Sequence, residues 1–110
     1  MSHADLAECL RALPSKINLA EIRLHQAEAL RARARTQLQA EEDCHLLSGH
    51  VTGKNSQERE AQLRVLTRQP RQAVEAAEEQ YKADSLAVRH LQDQFSAARA
   101  IARLLAAKEE

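Results

Sequence analysis

Counting from Val74 in alternating steps of three and four picks out Val74, Ala77, Tyr81, Asp84, Val88, Leu91, Phe95, Ala98, Ala102 and Leu105. Nine of these ten positions are apolar or Tyr. Side chains recurring at this interval line one edge of a helix, and at 1.5 Å per residue the seam is about 48 Å long. A chain carrying such a seam must bury it against another helix. Gln69-Pro70 supplies a start, since proline in a first turn lacks only an N–H that had no partner. Glu75, Glu78 and Glu79 follow early, where the helix dipole favours negative charge.

The same counting in the first half gives Leu13, Ile17, Ala20, Leu24, Ala27, Arg31, Ala34, Leu38, Glu41 and His45. This seam is smaller in side-chain volume, which lets the bulkier last helix approach closely. Ser15 is placed to cap it after Pro14, and Gly49 to stop it. Asn55-Ser-Gln-Glu58 reads as a cap with a glutamate three residues on. A short helix through Ala61, Leu63, Val65 and Leu66 follows, and the break falls before Pro70. The sequence therefore predicts an all-α protein, an antiparallel coiled-coil hairpin with a short intervening helix. Its segments are a short helix at 3–13, a long helix at 15–48, a turn at 49–55, a short helix at 56–68 and a long helix at 70–107. Only Tyr81 and Phe95 are aromatic, and β-branched residues are too few to furnish a sheet.

Packing the long helices antiparallel makes facing residue numbers total roughly 115–117 if the reversal is centred on residues 48–69. Arg31, at the centre of the first seam, then faces Asp84, the one charge of the other seam. Leu6, Leu10, Ile22, Ile101 and Leu104 are apolar residues beyond what two helices cover. They collect at the end remote from the turn, as a surface for the N-terminal helix or for a homodimer that completes a bundle.

Basic and acidic side chains balance at sixteen each, so no global field draws the chain to nucleic acid or to a membrane surface. No apolar run is long enough to span a bilayer, and the N-terminus lacks the basic start and apolar block of a signal peptide. Cys9 and Cys44 are far apart and read as free thiols in a reducing compartment, which makes the cytoplasm the expected location.

Gly49-His50-Val51-Thr52-Gly53-Lys54-Asn55 superficially resembles a phosphate-binding loop. It is one residue short between its glycines, lacks Ser or Thr after Lys54 and follows a helix rather than a strand. Turn chemistry accounts for both glycines. Cys44, His45 and His50 carry soft donors, yet adjacent helical residues diverge by about 100°, so Cys44 and His45 do not share an ion readily. No catalytic constellation stands out, and neither a metal nor another cofactor is expected.

Residues 16–40 and 54–72 each carry five basic side chains against two acidic ones. Arg31, Arg33 and Arg35 alternate by two and so spread around their helix, and stacking aromatics are missing. Direct DNA or RNA binding is accordingly the second reading, and a purely structural oligomer the third. The first is a non-enzymatic protein that binds a protein partner at the turn and the short helix, through His50, Lys54, Asn55, Arg59, Arg64 and Arg68.

Gly53-Lys54-Asn55, followed by Arg59 and Leu63 and then by a long Ala/Glu/Arg-rich helix, resembles small uncharacterised helical proteins of tailed bacteriophages. The closing Ile101-Ala-Arg-Leu-Leu105 is similar as well. The likeness covers residues 52–105 loosely and about a dozen of them closely. It implies an accessory role in nucleic-acid processing, or inhibition of a host defence enzyme, in the host cytoplasm. It carries no activity onto any residue here.

Overall fold

Three helices make up the computed structural model, which describes residues 2–109: α1 spans His3–Leu47, α2 Ser56–Leu66 and α3 Arg68–Glu109. There is no strand among the described residues. None of the helices is long and apolar enough to cross a membrane. Two compact units divide the chain. The first joins α1 up to Gln26 to α3 from Lys82 onward, and the second comprises Ala27–Tyr81.

Helix α1 begins with a reciprocal cap. The Ser2 hydroxyl accepts from the Asp5 amide at 3.1 Å, and the Ser2 amide donates to the Asp5 carboxylate at 3.3 Å. The helix then runs through Pro14 without a break, so the separate helix expected at 3–13 does not exist. Proline at this point removes the bond to the Leu10 carbonyl and crowds it. What offsets the loss is the seam, which passes Pro14 in step. Leu6, Leu13, Ala20 and Ala27 recur every seven residues, and Leu6, Leu13 and Ala27 are buried. Pro14 itself faces solvent.

In the first unit Leu6 and Leu13 of α1 are buried, as are Val88 and Ala98 of α3. Leu6 is therefore core and Leu10 is half-buried. Leu19, Ile22, Leu86, Ile101 and Leu104 stay exposed. A groove of about 390 Å³ runs between Cys9, Ala12 and Leu13 on one side and Ala97, Ala98 and Ile101 on the other.

In the second unit Ala27, Ala77 and Thr67 are buried. Arg35 bonds Glu78, Arg31 lies 3.6 Å from the same carboxylate, and Arg71 donates to Glu42 at 3.1 Å. Rising numbers on α1 thus meet falling numbers on α3. The Arg31 guanidinium also stacks over Tyr81, 3.7 Å from the ring centroid. Glu78 and Tyr81 of α3 thus both lie against Arg31.

The break between α2 and α3 falls at Thr67, so Arg68, expected to end the short helix, and Gln69, expected to lie between the two, both belong to α3. In a continuous helix Pro70 would crowd the Leu66 carbonyl. Opening the chain at Thr67 places Pro70 in the first turn of α3, where its missing N–H is not needed. Thr67 has no solvent exposure and its polar atoms are all engaged. Its hydroxyl donates to the Leu63 carbonyl at 2.6 Å and accepts from Arg71 Nε at 2.9 Å. Its amide bonds the same Leu63 carbonyl, and its own carbonyl accepts from the Arg71 amide.

Candidate functional site

The turn between α1 and α2 is closed by backbone chemistry at one end and by side chains at the other. Gly49, at φ 71°, ends α1: the His50 amide reaches the His45 carbonyl at 3.1 Å and the Gly49 amide that of Leu46 at 3.3 Å. This pair of bonds is the left-handed stop that glycine makes inexpensive. The same bend brings the Nδ1 atoms of His45 and His50 to 3.0 Å, with one ring necessarily supplying the proton and the other the lone pair.

Beyond it, Gln62 of α2 reaches back. Its Oε1 accepts from the amides of Thr52 at 2.9 Å and Gly53 at 2.8 Å, while its Nε2 donates to Thr52 Oγ1 at 3.1 Å. Asn55 caps α2 by accepting from the Glu58 amide at 2.9 Å, and Glu58 returns a carboxylate oxygen to the Lys54 amide at 2.8 Å. The cap expected from Asn55 and Glu58 is present, with the return bond one residue earlier than the usual box. Gly53 is needed for close approach and not for a positive φ. A Cβ there would sit 2.7 Å from Glu58 Cβ and 2.8 Å from the Arg59 amide nitrogen. Gly53→Ala is expected to destabilise the tip by about 1–3 kcal/mol. Amide exchange at Thr52 and Gly53 should accelerate while helical circular dichroism holds. Unchanged protection would show that Gln62 does not clamp the loop.

Of the residues assigned to the contact surface, Asn55 serves as a cap. Lys54, Arg59, Arg64 and Arg68 are exposed, as is His50. Arg64 has only Glu60 within reach, at 3.9 Å. The amides of Thr52, Gly53 and Lys54 are taken by side chains, so they cannot cradle a phosphate as a nucleotide loop would. Arg31, Arg35 and Arg71, counted in the two basic stretches, are turned onto Glu78, Tyr81 and Glu42.

Sequence reading missed Gln62 and Thr67, which organise the turn and the α2–α3 junction. It also missed that α2 buries none of its residues, leaving Val65 76% and Leu66 41% exposed. Among the described residues no group of three or more His, Cys, Asp or Glu could hold a metal ion. Cys9 is half-buried, Cys44 is exposed, and both are free. Compared with protein families, with curated proteins and with solved structures, the chain matches none.

Proposed function

We propose that this protein is a non-enzymatic helical adaptor that binds a protein partner through the tip formed by residues 49–55 and the exposed face of α2. One observation carries the reading. Lys54, Arg59 and Arg64 stand exposed at and beyond a loop whose backbone is locked from within, with Arg68 exposed at the start of α3, whereas Arg31, Arg35 and Arg71 are paired with carboxylates of the opposite long helix. Fixed loops with free charges are suited to recognition, because little ordering is lost on binding. The paired arginines also weigh against a basic face that follows a nucleic-acid backbone.

In this reading the two long helices form an antiparallel coiled-coil hairpin, and Ile22, Ile101 and Leu104 are exposed surface for homodimerisation. The resemblance to phage proteins suggests a partner among nucleic-acid-processing or host-defence enzymes of the cytoplasm, which the protein assists or inhibits. The test is an affinity pulldown from host lysate with the wild-type chain and with Lys54→Glu/Arg59→Glu. A specific protein captured by the first and lost by the second is the expected result. Retention by the charge-reversed chain would move the contact elsewhere. A gel shift with DNA or RNA at low salt, abolished by the same substitutions, would replace the protein partner with a nucleic acid.

A further inference from the structure

Helix α2 carries a shallow groove of about 400 Å³ lined by His50, Ala61, Gln62, Val65 and Leu66. Each successive helical residue turns by about 100°. Arg59 therefore lies on the Leu66 edge of the apolar stripe, about two turns before it, and Arg64 lies on the Ala61 edge, one cation on each edge. The carboxylate of Glu58, on the same face, is committed to the Lys54 amide. Arg59 makes no ion pair among the described residues, and Arg64 makes only the long one to Glu60. Resting on the tip-binding reading, we propose that this groove docks an amphipathic helix of a partner protein whose apolar edge is flanked by carboxylates.

Charge selects this occupant. A second copy would bring the same two cations to the groove, and the carboxylates beside them, Glu58 and Glu60, are already engaged within the chain. A nucleic acid would meet Val65, 76% exposed and aliphatic, with no Phe, Tyr or Trp lining the groove, and the one ring there, the His50 imidazole, is engaged with His45. An acidic amphipathic helix satisfies both parts of the surface, its apolar side chains covering Val65 and Leu66 and its carboxylates reaching the two guanidiniums.

Two fluorescein-labelled stapled helical peptides test this. Both carry Leu at positions i, i+3, i+4 and i+7, with Glu at the remaining positions in one and Lys in the other. The full chain is expected to bind the Glu peptide by fluorescence anisotropy, more tightly at low salt, and to ignore the Lys peptide. Val65→Glu, at an exposed site that leaves the fold intact, should weaken binding at least tenfold, and Arg59→Glu/Arg64→Glu should do the same. Equal binding of the two peptides, no binding of the Glu peptide, or indifference to Val65→Glu would each overturn the proposal. So would a self-association in sedimentation that Val65→Glu abolishes. In the lysate experiment, a partner lost with Lys54→Glu/Arg59→Glu but kept with Val65→Glu would refute the groove and leave the tip reading standing.

Discussion

Pro14→Ala is expected to stabilise the protein by about 2 kcal/mol. Proline inside a helix is worse than alanine by about 3 kcal/mol, and the freer unfolded chain of the alanine variant returns up to about 1 kcal/mol of that. Pro14 lies in the interior of α1, eleven residues past His3, and its side chain is exposed, so alanine removes the crowding at the Leu10 carbonyl without touching the core. Urea unfolding followed by circular dichroism measures the difference. An unchanged midpoint would mean that the chain breaks at Pro14, with residues 3–13 forming the separate helix that the sequence suggested.

Leu13→Ala should act in the opposite direction and more strongly, with a loss of about 2–5 kcal/mol. Leu13 is 7% exposed and is one of six buried apolar residues among those described, three of which are alanines. Domains of this size are commonly stable by about 5–15 kcal/mol, so one truncated leucine removes a large share. The surroundings set where in the range the value falls. Leu13 borders the groove beside Ala98, and an open flank lets neighbours relax into the space, whereas a rigid one leaves a cavity. A loss below about 1 kcal/mol would show that Leu13 does not anchor the first unit.

These two neighbours illustrate what the sequence makes legible. Every one of the twenty seam positions counted from Leu13 and from Val74 is buried or half-buried, because side-chain periodicity directly encodes which edge of a helix is covered. The Gly49 stop and the Asn55 cap are likewise local, set by residues within five positions of each other. Pro14 was misread because its local penalty was weighed without the tertiary burial that overrides it. The Glu78 contact of Arg31 was not read, because Glu78 lies beside the counted seam and not on it. Glu78 accepts from Arg35 and pairs with Arg31, which no count along one helix reveals. Thr67 escaped because a buried hydroxyl is defined by its partners Leu63 and Arg71, and a lone threonine before a proline carries little signal. For the candidate site, the cations were legible by type. The exposed Val65 beside them was not, because exposure belongs to the fold.

The clamp around Gly53 also bears on the order of events in time. Polar links in the second unit are graded by sequence separation: 4 for Lys54 to Glu58, 9 for Gly53 to Gln62, 29 for Glu42 to Arg71 and 43 for Arg35 to Glu78. Closing a loop costs more entropy the longer it is, and each link already made shortens the loop that the next must close. A chain wired in this sequence gathers from its tip outward, as a zipper does, and contacts close in sequence form fastest. The residues offered for recognition are then among the earliest in the second unit to reach their final places.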